Sequence, residues 1–430
     1  MSVLLHSPSS WVLSQNASLR YIVFFLLYVM QGVPAGFALT AVANYLAAEG
    51  LAAHAVGNFV ALVGLPWGLK FVWGPVVDRY TYAPMGRRRP WVLGAQLMAL
   101  LSLMGIVGIS DPVTQFWWLG VAFSWHALFA SLQDVVVDAL AIEVTPPDER
   151  GRANAFMRAG FVAGSALGAA GLGYVLRYGS FRTAALCEAG LLLLLTVLMF
   201  FVRERPGDQL LPGGTNQATS SSSFPAFSFT ELFRRLWRGI VTRNSLLMIG
   251  AVSLVYMTES LFRRALDVYL IQELNWTDVA LSGLRGTAGT TITLGAVFVG
   301  GWLVDRIGGR RVLVGTVLAI SVVVLGYTVG ASYWSSVTLT TGYILTKFTL
   351  DTLVNVAAIP LFMYLCRPGV EGSQFVFYMA LSNQMDVLGA SLVGTVTAYL
   401  PVTEVGYVGA GAALLALVLL SFVRTGSEAK

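Results

Sequence analysis

Ionisable side chains recur inside long apolar stretches of this 430-residue sequence. Burying an ionised group at the centre of a lipid bilayer costs about 2.5–3.5 kcal/mol on insertion scales, so such groups are paired, neutral or in contact with water. The chemistry that they support is proton exchange and electrostatic binding of a charged solute. The side chains in question are Lys70, Asp134, Asp138, Arg158, Glu188, Glu259, Arg263, Arg264, Asp267, Arg285, Lys347, Asp351 and Asp386.

Two aspartates are the predicted proton-coupling residues. Asp386 has no basic neighbour on its own apolar segment, and Asp134 lies one turn deeper than Asp138. Desolvation favours the neutral form of a carboxyl group. We therefore predict that Asp386 exchanges the proton, with Asp134 as the second candidate. A plain ion pair of Asp134 with Lys70 or Arg158 is the alternative.

Six side chains are predicted to contact a substrate. Arg264 points about 100° away from Arg263 on a helix, and together with Arg285 it could bind a carboxylate or phosphate. Glu259, Arg263 and Asp267 follow an i,i+4 spacing that also allows a self-neutralised ladder. The predicted contacts are Lys70, Arg158, Arg264, Arg285, Glu259 and Lys347, although Lys347 and Asp351 could simply pair.

The composition indicates that membrane helices position these side chains. Hydrophobic residues make up 56% of the chain and charged residues 11%, against about a quarter charged in soluble domains. A spanning helix needs about 20 apolar residues, and the first run is too long for a signal peptide. We predict an all-α polytopic membrane protein with twelve transmembrane helices, at 20–47, 54–78, 89–110, 114–144, 152–177, 180–202, 244–273, 277–304, 311–331, 333–365, 373–400 and 404–424.

Arginine is concentrated in alternate loops, which sets the predicted orientation. The second, fourth, sixth and eighth loops carry most of the arginines, whereas only the fifth, with Arg177 and Arg182, breaks the pattern. Both termini are therefore predicted to be cytoplasmic, in a plasma (inner) membrane protein. The net charge of +5 follows from this topology and does not indicate a nucleic-acid partner.

The chain divides into two similar halves. A Gly-, Pro-, Ser- and Thr-rich stretch and an amphipathic basic helix separate them, so we predict an N-terminal six-helix bundle at 1–203, a cytoplasmic linker at 204–243 and a C-terminal six-helix bundle at 244–430. The glycines Gly160, Gly164 and Gly168 predict close helix packing. The lone His126 in an apolar helix is interpreted as a packing residue.

Repeated loop motifs carry a family resemblance. Gly301–Arg311, read as Gly-Trp-Leu-Val-Asp-Arg-Ile-Gly-Gly-Arg-Arg, resembles the loop signature of the major facilitator superfamily, and Gly74–Arg89 is a longer-spaced copy. Gly64–Pro75 and Gln133–Ala139 make the chain similar to AmpG-type muropeptide permeases, acetyl-coenzyme A transporters and siderophore importers. The resemblance implies the major facilitator fold. The predicted gating residues are Asp78, Arg79, Asp138, Asp305, Arg306 and Arg310.

The resemblance and the buried charges together imply secondary active transport. We expect a monomeric proton-coupled transporter in the lipid bilayer that imports a polar, anionic small molecule such as a muropeptide. A siderophore or another organic anion is an alternative substrate, and a transporter-like sensor is an alternative class. The sequence contains no Walker motif, nucleophile elbow or metal-ligand spacing, so neither an enzyme nor a bound cofactor or metal is expected.

Overall fold

The structure is a computed structural model that describes residues 11–80, 83–146, 149–211, 229–367 and 371–423. Helices account for nearly all of the regular structure in these ranges. The one β-bridge in these ranges joins Val12 and Arg203. The helices are α1 Ala17–Gly36, α2 Ala43–Ala48, α3 Ala53–Gly68, α4 Trp73–Arg79, α5 Arg89–Val107, α6 Phe116–Val144, α7 Arg150–Ala166, α8 Gly173–Tyr178, α9 Phe181–Phe201, α10 Phe229–Ile240, α11 Arg243–Gln272, α12 Asp278–Gly283, α13 Gly289–Ile307, α14 Gly309–Val329, α15 Val337–Leu365, α16 Glu371–Ser391, α17 Val393–Thr397 and α18 Val402–Ser421.

Ten helical segments within the described ranges are long and apolar enough to cross a membrane. The predicted fourth and eleventh spans correspond to α6 and α16, with 29 and 21 residues. Their lengths of about 43 and 31 Å suffice for a bilayer, but polar residues such as Gln133 and Asp386 make both less apolar. The all-helical membrane architecture is confirmed, and the number of twelve spans stays a prediction.

Three of the long helical segments contain a π-helical turn. These turns cover Phe37–Val42 between α1 and α2, Leu167–Leu172 between α7 and α8, and Leu284–Ala288 between α12 and α13. A π-helical turn inserts an extra residue into the helix and is frequent at functional sites. Arg285, one of the predicted substrate contacts, lies in the third of them.

The described residues form two compact units, one within Met1–Val42 and Val72–Ser223 and the other within Ala43–Phe71 and Phe224–Lys430. In the second unit α3 packs along α16. Gly57 lies against the backbone of Ala390, and the side-chain amide of Gln384 donates to the Leu65 carbonyl at 3.0 Å. The predicted domain boundaries therefore differ from these units by the segment 43–71, and the division into bundles at 1–203 and 244–430 stays a prediction.

Glycines allow α1 and α7 to approach each other closely in the first unit. A Cβ atom on Gly160 would overlap the backbone of Phe25, one on Gly164 the backbone of Val29, and one on Gly168 the backbone of Val33. The structural role predicted for these glycines is confirmed. No larger residue fits at these positions unless the two helices separate.

We predict that Gly164→Ala lowers the apparent melting temperature of the purified protein, because overpacking costs about 1–3 kcal/mol. Gly190→Ala in α9 is the matched control, since a Cβ atom there has no neighbour within 4 Å. Both changes add the same methyl group and the same gain in helix propensity. Thermal denaturation in detergent compares the two, and equal melting temperatures would contradict the packing argument.

Candidate functional site

A cluster of eight ionisable side chains lies inside the second unit. α11, α15, α16 and the π-helical turn at Leu284–Ala288 contribute its members, each of which interacts electrostatically with others of the set. We call it the charge cluster. Its cations are Arg263, Arg264, Arg285 and Lys347, and its carboxylates are Glu259, Asp267, Asp351 and Asp386. With every member ionised, four positive and four negative charges give a net charge of zero.

Lys347 is the centre of the charge cluster. Its Nζ lies 2.6 Å from Glu259 Oε2 and 2.8 Å from Asp351 Oδ1. The pairing of Lys347 with Asp351 along α15 is therefore confirmed, and Glu259 joins it from α11. One ammonium group thus serves two carboxylates, and one of the two can take up a proton while Lys347 keeps an ionised partner.

The other charges of α11 also take partners on neighbouring helices. The Arg263 guanidinium donates to Asp386 Oδ1 at 3.1 Å, and Arg285 donates to Asp267. Asp386 has no basic neighbour on its own helix, and its partner Arg263 comes from α11 instead. The proposed ladder of Glu259, Arg263 and Asp267 is likewise replaced by pairs between helices.

Exposure divides the charge cluster into an accessible and a buried part. The side chains of Arg263, Asp351 and Asp386 are 28%, 33% and 35% exposed, whereas that of Lys347 is 6% exposed. Arg264 is buried, and Arg285 is bound to Asp267. The two arginines predicted to hold an anion thus lie beneath the accessible surface, and Arg263 is the accessible cation of the cluster.

Tyrosines extend the polar surroundings of the charge cluster. The Tyr256 hydroxyl donates to Asn355 Oδ1 at 2.6 Å, and Tyr343 interacts electrostatically with Glu259 and Asp351. Sequence reasoning missed both tyrosines. No spacing rule separates them from the chain's other tyrosines, since their partners lie on other helices or on distant turns.

The first unit holds a smaller polar group around Tyr28. The Tyr28 hydroxyl donates to Asp138, and Asp134 and Arg158 are close enough to interact with it electrostatically. Asp134 is buried, while Arg158 is exposed and lies over the Phe161 ring at 5.9 Å. Lys70 lies in the three-residue turn after α3, which belongs to the second unit.

The predicted gating residues are described only in part. The side chains of Asp78, Arg79 and Asp305 lie outside the described residues. Arg306 lies over the Trp302 ring at 5.2 Å, and Arg310 donates to the Ser421 carbonyl at 3.1 Å.

Two glutamates that the sequence did not single out hold the loop before α5. Arg88 Nε donates to Glu143 Oε1 at 2.8 Å. The carboxylate of Glu204 accepts the backbone amides of Arg87, Arg88 and Arg89, which caps the N-terminus of α5. Burial raises the pKa of Glu204. The loop is separated from Glu204 by more than 100 residues, so no local pattern revealed the contact.

A third anchor ties the start of α1 to the start of α7. Arg20 donates to Glu149 and, through its second terminal nitrogen, to the Leu13 carbonyl at 2.7 Å. The hydrogen bond from Arg20 lowers the pKa of Glu149. The arginine-rich end of the first unit is therefore held by specific carboxylates.

Comparisons with known proteins agree with this architecture. The family model "Major Facilitator Superfamily" matches residues 20–390. The anhydromuropeptide permease of Escherichia coli (strain K12) is 25% identical over 368 residues, covering 85% of this chain and 68% of that protein. The putative transporter AmpG 3 of Rickettsia prowazekii is 23% identical over 268 residues, covering 61% of this chain and 62% of that protein.

Solved structures show the same fold. The D-xylose-proton symporter superposes with a TM-score of 0.70 at 13% identity, covering 95% of this chain and 98% of that one. The nucleoside transporter NupG, solved as a single-residue mutant, gives a TM-score of 0.68 at 11% identity, covering 94% of this chain and 100% of that one.

The family match and the permease relatives identify a multi-pass membrane transporter of small molecules, since these homologues are permeases and not enzymes. The chain belongs to the Major Facilitator Superfamily, with AmpG-like permeases among its homologues.

We predict that Lys347→Met lowers the apparent melting temperature strongly, because removing one partner of a buried ion pair costs about 3–5 kcal/mol. Adding Glu259→Gln and Asp351→Asn to Lys347→Met should recover much of that loss, since the two carboxylates then need no cation. Lys347→Arg is the charge-conserving control. Equal stability of Lys347→Met and its triple variant would show that the charge cluster does not depend on this pairing.

Proposed function

We propose that the protein is a proton-coupled symporter that imports a polar, anionic solute by alternating access. The observation that carries this proposal is the pairing of one ammonium, Lys347, with two carboxylates, Glu259 and Asp351, beside the accessible pair of Arg263 and Asp386. Such a site can gain a proton and bind an anion without leaving a buried charge uncompensated.

Charge neutrality supplies the proposed coupling. The charge cluster is neutral when all eight groups are ionised, so an anionic solute would give it a net charge of −1. One added proton restores neutrality. Binding of the proton and the anion therefore favour each other, and this mutual preference is the thermodynamic basis of symport.

The carboxylates that take up the proton are proposed from their surroundings. Asp351 shares Lys347 with Glu259, and Asp386 is the most exposed carboxylate of the charge cluster. Protonation of Asp386 would free Arg263 for the solute, whereas protonation of Asp351 would leave Lys347 with Glu259 as its ionised partner. Asp134, beside Tyr28 in the first unit, is the remaining candidate. The gating roles of Asp78, Arg79, Asp138, Asp305, Arg306 and Arg310 remain proposals.

A muropeptide-like substrate is supported by the name of the Escherichia coli relative, an anhydromuropeptide permease. The identity of 25% with that protein leaves a siderophore or another organic anion as the alternative substrate. A transporter-like sensor would keep the same fold and the same ion pairs. It would bind solute without accumulating it, and uptake into vesicles separates the two classes.

The membrane arrangement belongs to the same proposal. We infer twelve spans in two six-helix bundles, a monomer in the plasma (inner) membrane and cytoplasmic termini, supported by the arginine distribution. The basic, amphipathic α10 would then lie on the cytoplasmic leaflet, with the exposed Trp237 in contact with lipid.

Uphill accumulation is measured with a radiolabelled anhydromuropeptide in proteoliposomes that have an inward proton gradient. We predict that accumulation is abolished by Asp386→Asn or by Asp351→Asn, whichever removes the carboxylate that carries the coupled proton. Exchange between equal internal and external pools should continue, because the amide fixes the neutral form. Asp134→Asn tests the third candidate in the same assay. If all three variants still accumulate the probe, the proton site lies elsewhere.

We predict that Arg263→Gln raises the half-saturating concentration of the same probe at least roughly tenfold, since a hydrogen bond to a charged group contributes about 1.5–3 kcal/mol. Arg243→Gln is the control, because Arg243 is an exposed arginine at the start of the same helix. If Arg285→Gln lowers the affinity and Arg263→Gln does not, the anion binds at Arg264 and Arg285 instead of Arg263. Wild-type uptake that ignores proton gradients would contradict symport itself.

A further inference from the structure

A small internal cavity lies within the first unit, beside the proline of α1. Its walls include Met30, Pro34, His126, Glu188 and Leu192, and its free volume is about 10 Å³, roughly the space of one water molecule. Of the described residues that line it, only His126 and Glu188 carry titratable side chains. The charge cluster lies in the other unit and is not involved in this cavity.

The hydrogen bonds of His126 assign its tautomer. Its Nδ1 lies 3.0 Å from the Ala99 carbonyl oxygen and 3.0 Å from Ser102 Oγ. The Ser102 hydroxyl itself donates to the Ala99 carbonyl at 2.6 Å, so both neighbours of Nδ1 act as acceptors and Nδ1 carries the hydrogen. In the neutral ring Nε2 is then an acceptor, and it has no hydrogen-bond partner among the described residues.

Glu188 is also buried without a hydrogen-bond partner among the described residues. Its side chain is 3% exposed, and neither of its carboxyl oxygens has a hydrogen-bond partner in the described part of the chain. The described lining of the cavity contains no lysine or arginine. An ionised carboxylate in this apolar setting would carry a large desolvation cost, and a buried group in that position becomes neutral instead.

We propose that Glu188 and His126 form a proton-binding site in which Glu188 is protonated and donates its hydrogen to one water molecule, which donates in turn to Nε2 of His126. The bound species is a single proton with room for one water molecule. Both unsatisfied groups then gain a partner, and the cavity contains no net charge. His126, interpreted from the sequence as a packing residue, becomes the acceptor of this site.

Pro34 interrupts the hydrogen bonds of α1 beside the same cavity. Proline has no amide hydrogen, so it gives no i→i−4 hydrogen bond to the Met30 carbonyl, and both residues line the cavity. The site therefore links α9 and α6 to α1 at the proline, next to the π-helical turn at Phe37–Val42.

Infrared spectroscopy of the lipid-reconstituted protein tests this proposal without a transport substrate. We expect the carbonyl-stretch band of a protonated carboxylic acid in the wild-type spectrum minus that of Glu188→Gln. The band should shift in His126→Leu, which removes the acceptor, and should disappear when the pH is raised far enough to ionise Glu188. Glu149→Gln is the control, because that carboxylate is paired with Arg20 and its removal should leave the band intact.

The amide of Glu188→Gln has nearly the same shape as the acid and is expected to fold. If it does not, Glu188→Asp replaces it, since the shorter acid should displace the band. A wild-type spectrum with no acid band attributable to Glu188, or one that His126→Leu leaves unshifted, would overturn the proposal. The proton site does not depend on proton-coupled transport, so a failure of symport and a failure of this site give different results.

Discussion

The cost of placing a charge in a low-dielectric interior governs the organisation of this molecule. Every described carboxylate of the charge cluster is paired with a cation on another helix or on an adjacent turn. Arg263 with Asp386 joins α11 to α16, and Lys347 joins α15 to α11. These pairs are costly to break and do not by themselves prove added stability. Their effect is to fix which faces of the helices meet.

The same constraint gives the charge cluster its chemical character. In the proposed mechanism, a balanced set of four cations and four carboxylates binds an anion more favourably when a proton enters with it. The members of the charge cluster also differ in exposure. A solute would contact the accessible Arg263, Asp351 and Asp386 before the buried Lys347 and Arg264. Transport chemistry and structural pairing therefore use the same residues in this proposal.

Close packing of the α1 and α7 backbones is a second constraint on the structure. Gly160 and Gly164 on α7 allow the backbone of α1 to approach closely, and this packing leaves no room for a side chain at either position. At the arginine-rich end of the first unit, Glu204 accepts hydrogen bonds from three consecutive backbone amides. Glu143 accepts a hydrogen bond from the Arg88 side chain. Carboxylates thus order the loop in one region, while Glu188 and His126 are proposed to share a proton in another.

The sequence by itself determined the membrane class, the all-helical fold and the family, because hydrophobic length, loop charge and the signature at Gly301–Arg311 are local properties of the chain. It also identified the ionisable residues, since any charge in an apolar run is conspicuous, and it anticipated the pair of Lys347 and Asp351, which is one helical turn apart. Only the tertiary structure decided that Asp386 meets Arg263, that Arg264 is buried and that Glu204 caps α5. These contacts join residues more than 100 positions apart or depend on how a helix is rotated against its neighbours. Helix packing sets that rotation, and no periodicity within a single helix specifies it.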